Sequence, residues 1–140
     1  MRVSRATAAD FEVWGQMRAK LWDDLSAEEH LAEIKAGKSV GYMAMADGAA
    51  IGFAEITIRD YANGCTAQPV PFLEGIWVEP AHRRQGAGAA LITAIGADLA
   101  AQGYHELCSD SETSNARAHQ AHAKWGFAET ERVVCFRKAL

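Results

Sequence analysis

The sequence predicts an α/β fold of the α+β type, in which helices flank a mixed central β-sheet. Two segments, 40–46 and 50–59, read as strands joined by the hairpin turn Asp47-Gly48. A long alanine-rich segment follows a glycine-rich turn, as expected where a strand leads into a helix. The full order is β-α-α-β-β-β-α-β-α-β-β, and its 140 residues fit a single domain, 1–140.

The first third of the chain predicts one strand and two helices. Val3 opens a short strand, and Thr7 is a candidate N-cap for the first helix. Ser26 begins a capping box that opens a second helix, which should end at Gly37. The first helix carries large residues at helical spacing: Phe11, Trp14, Arg18 and Leu21.

The remaining elements follow a polar loop over 60–69. The alanine-rich helix should turn one apolar face inward, formed by Leu91, Ile92, Ile95 and Leu99. The predicted elements are a strand over 71–78 ended by Pro80, a helix that stops at Gly103, a strand over 104–109, a helix over 115–125 closed by Gly126, and two short strands within 127–138.

Composition excludes several classes of protein. An apolar share of 49% is enough for a core and excludes global disorder, while the net charge of −4 argues against a nucleic-acid partner. No apolar run is long enough for a membrane span or a signal peptide, so we expect a cytoplasmic protein without a membrane partner. The cysteines, three in number and far apart in sequence, predict free thiols.

The glycine-rich turn is a candidate phosphate site. The segment Arg83-Arg84-Gln85-Gly86-Ala87-Gly88 lies between a strand and a helix, where free backbone amides meet the positive end of the helix dipole. The alternative is an ordinary glycine-rich helix start with exposed arginines. A Walker A loop is excluded because Gly-Lys-Ser/Thr is absent. A dinucleotide motif would need glycine where Leu91 stands, and Glu106 alone favours it.

At these residues the sequence resembles the GCN5-related N-acetyltransferases. The shared pattern is Val78-Glu79-Pro80, the glycine-rich turn, an Asn-led helix at Asn115, and Gly126-Phe127. The resemblance implies acetyl-CoA as the co-substrate and no metal. It places the pyrophosphate and pantetheine of that co-substrate on Ile76, Val78, Arg83, Arg84, Gln85, Gly86, Ala87, Gly88, Ala89 and Asn115.

Further segments resemble the aminoglycoside 6′-N-acetyltransferases of the antibiotic-resistance type. They are 61–65, 72–76, 127–133, and Leu21-Trp22 ahead of 30–34. This resemblance implies an acyltransferase that acetylates the 6′-amine of a cationic aminoglycoside by direct attack in a ternary complex. It also implies a homodimer paired through the C-terminal strands.

Glu74 is the candidate catalytic carboxylate. A charge in the middle of a strand is costly unless it is paired or functional. Strand alternation predicts that Glu74 shares a face with Phe72 and Ile76, beside the expected acetyl-CoA cleft. There it would hold the acceptor ammonium and take its proton. The alternative is a structural ion pair with an arginine or lysine.

The resemblance groups four further residues with Glu74 as the acceptor site. A carboxylate-rich, aromatic-edged cleft suits a polycation with hydroxyls. Each residue also has an alternative role unrelated to binding: a loop cap for Asp110, a solvated charge for Glu131, a core side chain for Trp22 and a loop aromatic for Tyr61.

His122 occupies the position where many family members have the tyrosine that protonates the leaving thiolate. An imidazole suits that role near neutral pH. His119 shares its helical face, but no third ligand accompanies the pair, so no metal site is predicted. The rival functions are acetylation of another amine (a polyamine, an amino acid or a peptide N-terminus) and non-catalytic binding of an acyl-CoA.

Overall fold

A computed structural model describes all residues, 1–140. Short 3₁₀ turns at Ala8–Asp10 and Pro80–His82 precede the first and third helices. The helices are α1 (Phe11–Leu21), α2 (Ala27–Lys35), α3 (Ala87–Ala101) and α4 (Ala116–Lys124). The strands are β1 (Arg2–Arg5), β2 (Val40–Ala46), β3 (Ala49–Arg59) and β4 (Val70–Val78).

The strands form one antiparallel sheet in the order β1-β2-β3-β4. A parallel neighbour joins the outer side of β4 through the bridge between Phe72 and Cys108, which makes the sheet mixed as predicted. Leu73 N donates to Cys108 O at 2.8 Å, and Cys108 N donates to Pro71 O at 2.9 Å. The strand predicted over 104–109 is therefore reduced to a single bridge, and β4 has no neighbour on that side towards Val78.

A β-bulge interrupts the pairing of β3 with β4. Glu55 pairs with Gly75 and Ile56 pairs with Leu73, so Glu74 is the extra residue. A bulge resets the alternation of side chains along a strand. Ile76 packs on the same core as Leu73, whereas Phe72 belongs to another cluster, so the prediction that Phe72 and Ile76 share a face was wrong.

The two faces of the sheet have different cores. On one face α3 packs its inward residues Leu91, Ile92, Ile95 and Leu99 against the sheet, as predicted. On the other face Trp14 and Met17 of α1 and Ile34 of α2 pack on Phe53. The helices α1 and α2 therefore cover the face on which Glu55 and Gly75 meet, which places their ends beside the bulge.

Local signals set most helix ends. Ser26 and Glu29 form the predicted capping box, with Glu29 N donating to Ser26 Oγ at 3.1 Å and Ser26 N donating to Glu29 Oε1 at 3.2 Å. Gly37, Gly103 and Gly126 follow α2, α3 and α4 with φ of 78°, 90° and 92°. Glycine reaches this left-handed region without strain, so it ends a helix there.

The C-terminal segment 127–140 contains no strand, contrary to the two strands predicted there. A strand needs a neighbouring edge to satisfy its backbone groups, and 127–140 pairs with no other strand. Its apolar side chains stay in solvent, with Val134 77% and Phe136 92% exposed. None of the helices combines the length and the apolar character needed to cross a membrane.

Candidate active site

A cavity of about 920 Å³ opens between the end of β3, the segment 109–114, α4 and the C-terminal segment. Of the predicted site residues, Asp110, His122 and Glu131 line it. Arg59, Phe72 and Ser109 also line it, although the sequence did not single them out. Glu74 does not line the cavity but accepts hydrogen bonds from Arg59, which does.

Glu74 is held by two neighbours on β3. Its Oε1 accepts from Thr57 Oγ1 at 2.6 Å and from Arg59 Nε at 2.9 Å, and its Oε2 accepts from Arg59 Nη2 at 2.8 Å. Partial burial raises the pKa of Glu74, but the hydrogen bonds and the charge of Arg59 outweigh it, so the pKa lies below its usual value. The carboxylate is ionised at neutral pH and ready to hold a cation.

Arg59 connects Glu74 with the cavity. Its guanidinium carbon lies 3.5 Å from the ring centroid of Phe72, and the charges of Glu74 and Asp110 help to raise the pKa of Arg59. The ion-pair alternative for Glu74 is thus present in the structure. Arg59 follows Thr57 at strand spacing on a strand adjacent to β4, and this spacing is the signal that could have found the pair.

Trp22 ends α1 directly over the bulge. A Cβ at Gly75 would lie 2.6 Å from the indole carbons of Trp22, so only glycine lets the ring approach the strand this closely. Arg18 lies 5.1 Å from the centroid of the Trp22 ring, and His30 Nε2 lies 2.8 Å from the Trp22 carbonyl. Trp22 therefore packs on the residue that follows Glu74 in the sequence.

Arg18 also reaches a buried carboxylate. Its Nε lies 2.8 Å from Glu55 Oε1, but the N–H is not aligned for a hydrogen bond. Burial is the largest influence on Glu55 and raises its pKa, against the opposing effect of Arg18. The sequence analysis missed this pair, whose signal is a second charged residue inside the apolar strand β3.

His122 forms a fixed chain with Ser109. Its Nδ1 lies 2.7 Å from the carbonyl oxygen of Ala118, which can only accept, so Nδ1 carries a proton. Its Nε2 lies 2.7 Å from Ser109 Oγ. The neutral ring therefore accepts from Ser109, whereas the doubly protonated ring donates to it. Phe127 and Trp125 pack beside the imidazole at 5.1 and 5.4 Å between ring centroids.

The glycine-rich turn has a left-handed backbone. Arg84 has a φ of 62° and Gly86 a φ of 87°, and no side chain caps the amides at the start of α3. Such a turn directs successive amides into a concave anion site, so it fits a pyrophosphate. No atom would meet a Cβ at Gly86 within 4 Å. Gly88 has a different role, because a Cβ there would lie 2.8 Å from Trp125.

The other predicted cofactor residues lie around this turn. Arg83 stacks on Trp77 at 4.6 Å from the ring centroid, and its Nε donates to Val78 O at 2.8 Å. That carbonyl is therefore already partnered. Ile76 and Val78 lie on the part of β4 that has no parallel neighbour, an edge open to the amides of a pantetheine arm. Asn115 caps α4 by accepting from Ala118 N at 3.1 Å.

The two remaining predicted acceptor residues, Tyr61 and Glu131, differ in their relation to the cavity. Tyr61 is 67% exposed at the start of the loop 60–69 and does not line the cavity. Glu131 lines it from the C-terminal segment, beside the ion pair of Glu129 with Arg132. The structure thus brings Asp110, Glu131 and His122 to one cavity, links Glu74 to it through Arg59, and leaves Trp22 and Tyr61 outside its lining.

Comparison with known proteins identifies the family of this chain. The acetyltransferase (GNAT) family model matches residues 6–127. Aminoglycoside N(6′)-acetyltransferase type 1 from Stenotrophomonas maltophilia is 43% identical over 99% of this chain and 93% of its own length. The type 1 enzyme from Serratia marcescens is 42% identical over 94% of each chain.

Solved structures give the same result. AAC(6′)-Iy in complex with the bisubstrate analogue CoA-S-monomethyl-acetylneamine matches with a TM-score of 0.89 and 38% identity, covering 99% of this chain and 98% of that one. AAC(6′)-IG from Acinetobacter haemolyticus matches with a TM-score of 0.89 and 36% identity, covering 100% and 99%. This chain therefore belongs to the acetyltransferase (GNAT) family.

Proposed function

We propose that this chain transfers an acetyl group from acetyl-CoA to the 6′-amine of aminoglycoside antibiotics, as a resistance enzyme. The observation that carries the proposal is the match in fold and sequence, over nearly the whole of both chains, to an enzyme solved with a CoA–aminoglycoside bisubstrate analogue. The acidic cavity supports it, because a polycationic acceptor needs several carboxylates.

The co-substrate would lie along β4 and the start of α3. The amides of 84–89 would hold its pyrophosphate, with Arg83, Arg84 and Gln85 around them. The backbone of Ile76 and the N–H of Val78 would pair with the pantetheine arm, since Arg83 already donates to the Val78 carbonyl. The side-chain nitrogen of Asn115 would face the thiol end. When bound, acetyl-CoA supplies the activated thioester carbonyl that the amine attacks.

The acceptor would lie across the cavity opening. Glu74 and Asp110 would hold ammonium groups, Glu131 would approach from the C-terminal segment, and Trp22 and Tyr61 would contact the sugar rings and hydroxyls. Placing the two reactants side by side in a ternary complex can supply much of the rate by itself.

Three residues would then move protons. Glu74 accepts a proton from the 6′-ammonium, directly or through water, which frees the amine to form the C–N bond. As the C–S bond breaks, the thiolate takes a proton from Ser109 Oγ, which His122 replaces from Nε2. This requires the doubly protonated imidazole, because Nδ1 is committed to Ala118 O in either form.

We further propose that the single domain 1–140 acts as a cytoplasmic homodimer. The unpaired C-terminal segment exposes Val134 and Phe136, which a second copy would cover. The cysteines are all unpaired, as suits a reducing compartment. Sedimentation of the wild type and Phe136→Ser should give a dimer and a monomer, and a monomeric wild type would contradict the dimer.

A thiol-release assay tests the proposed function. Purified protein with acetyl-CoA is offered a kanamycin-type aminoglycoside, a polyamine and a short peptide with a free N-terminus. We expect release of free CoA with the aminoglycoside at a kcat/KM far above the others. Release with only the polyamine or peptide would assign another amine as the acceptor, and no release with any amine would leave acyl-CoA binding alone.

A further inference from the structure

The place where an acceptor ammonium would meet Glu74 already contains a cation of the chain itself. Arg59 binds both oxygens of Glu74, at 2.9 Å through Nε and 2.8 Å through Nη2. A guanidinium that binds a carboxylate through two nitrogens fills the positions a second donor would use. An acceptor ammonium therefore cannot reach Glu74 in the same geometry while Arg59 stays in place.

Arg59 also covers the aromatic floor of the cavity. Phe72 lines the cavity but is only 4% exposed, and the guanidinium carbon lies 3.5 Å from its ring centroid. If Arg59 moves away, the face of Phe72 becomes available to the apolar face of a sugar ring. One displacement would thus uncover both a carboxylate and a ring.

The pair is built so that it can open. Arg59 is the last residue of β3, and its side chain is 42% exposed, while that of Glu74 is 25% exposed. Exposed ion pairs contribute little net stability, so their exchange for another cation costs little. Thr57 keeps its hydrogen bond to Glu74 Oε1 at 2.6 Å and would hold the carboxylate in position after Arg59 leaves.

We propose that Arg59 is a specificity-determining residue: an internal cation that occupies the acceptor's ammonium position between Glu74 and Asp110 and must be displaced for the acceptor to bind. This deepens the proposed function and rests on it. An acceptor with a single ammonium group cannot compensate for the lost contacts between Arg59 and Glu74. A polycation that also binds Asp110 can. Arg59 thus makes the site specific for polycationic acceptors, because acceptors with fewer cationic groups cannot displace it.

Steady-state kinetics of Arg59→Gln test the inference. Removing the Arg59 cation should lower the KM for a kanamycin-type aminoglycoside about three- to tenfold, because Glu74 can then bind an ammonium group without first displacing Arg59. The KM for acetyl-CoA should stay the same. An acceptor KM that is unchanged or higher would overturn the inference, since Arg59 would then be neutral or a direct ligand of the acceptor.

Salt dependence separates competition from a structural effect. When the acceptor binds to the wild type, one cation replaces another at Glu74. The number of ion pairs broken therefore nearly equals the number formed. In Arg59→Gln a new ion pair forms without one breaking, so the acceptor KM should rise more steeply with ionic strength. Equal salt slopes in the two proteins would contradict displacement. Arg2→Gln makes the same charge change remote from the cavity and should keep both the KM and the slope of the wild type.

Calorimetric titration of the same proteins with the aminoglycoside keeps this test distinct from that of the proposed function. If the wild type binds the aminoglycoside but releases no thiol, the proposed function fails while the displacement can still be measured as tighter binding by Arg59→Gln. If the wild type turns over but Arg59→Gln binds no more tightly, the inference alone fails.

Discussion

The face of the sheet beneath α1 and α2 carries two carboxylate–arginine pairs that differ in almost every other respect. Glu55 is buried and Arg18 is largely covered, with side-chain exposures of 1% and 11%. Glu74 and Arg59 are partly open, at 25% and 42%. Glu55 has a raised pKa and Glu74 a lowered one, although each faces an arginine at 2.8 Å.

Hydrogen bonds and burial explain the difference. Glu74 accepts aligned hydrogen bonds from Thr57 and Arg59, which favour the ionised form. Glu55 lies in the core without an aligned donor from Arg18, and desolvation dominates. An arginine partner therefore does not by itself decide whether the pKa of a carboxyl group is raised or lowered. The inner pair is suited to hold α1 against the sheet, and the outer pair to exchange its cation.

The largest expected effect concerns the outer carboxylate. Glu74→Gln removes both the proton acceptor and the anionic contact, so kcat/KM for the aminoglycoside should fall by about 10² to 10⁴ at neutral pH. Glu12→Gln, which changes an exposed glutamate of α1, should behave as the wild type. Turnover by Glu74→Gln equal to that of the wild type would remove Glu74 from both roles.

The inner pair should instead control stability. Arg18→Met leaves Glu55 buried without its counter-charge, and we expect a loss of about 3 kcal/mol in the free energy of unfolding. Arg59→Gln should cost about 1 kcal/mol or less, because its pair is solvent-exposed. Urea unfolding of both variants measures the contrast. Equal losses would show that burial does not distinguish the two pairs.

The pH dependence of stability should have opposite signs at the two sites. A carboxyl whose pKa is raised in the folded state contributes stability at low pH and loses it as the pH rises through the folded value. A carboxyl with a lowered pKa contributes above its unfolded pKa, about 4.3, and loses that contribution as the pH falls.

Unfolding of the wild type, Glu55→Gln and Glu74→Gln from about pH 3.5 to 7 checks these signs. The advantage of the wild type over Glu55→Gln should shrink as the pH rises, and its advantage over Glu74→Gln should grow. Parallel trends would mean that the two carboxyls titrate alike.

The smallest effect is expected at Thr57. Thr57→Val keeps the shape but removes one donor to Glu74, so its pKa should rise towards the ordinary value. One such hydrogen bond is worth about 1 kcal/mol, which predicts about a fivefold loss in kcat/KM. The acidic limb of the pH profile should move to higher pH, because Glu74 must be ionised to act. Thr93→Val, exposed on α3, is the matched control, and a pH profile identical to the wild type's would remove Thr57 from this role.

Much of the fold followed from local signals in the sequence. The turn at Asp47-Gly48 between 40–46 and 50–59 and the capping box at Ser26 each specify a backbone conformation without reference to distant residues. The absence of strands from 127–138 could not be predicted in this way. Strand formation in 127–138 depends on an available sheet edge, which local sequence does not encode.

The candidate site was predictable by residue type more than by geometry. A charge inside an apolar strand identified Glu74, but its bulge depends on the register between β3 and β4, which alternation alone does not reveal. That bulge displaced Ile76 from the face of Phe72 and lets Trp22 approach Gly75. Arg59 was missed because an arginine at a strand end resembles any solvated charge until its cross-strand neighbours are known.

The most direct test of the account compares two aminoglycosides that differ only in carrying an amine or a hydroxyl at the 6′-position. CoA release by the wild type should be rapid with the 6′-amine, and its product should gain one acetyl group there by mass spectrometry and NMR. The 6′-hydroxyl analogue should give at least about a 10³-fold lower kcat/KM, because it offers Glu74 no ammonium and the thioester no amine. Equal turnover of the two compounds, or acetylation at another position, would contradict the account.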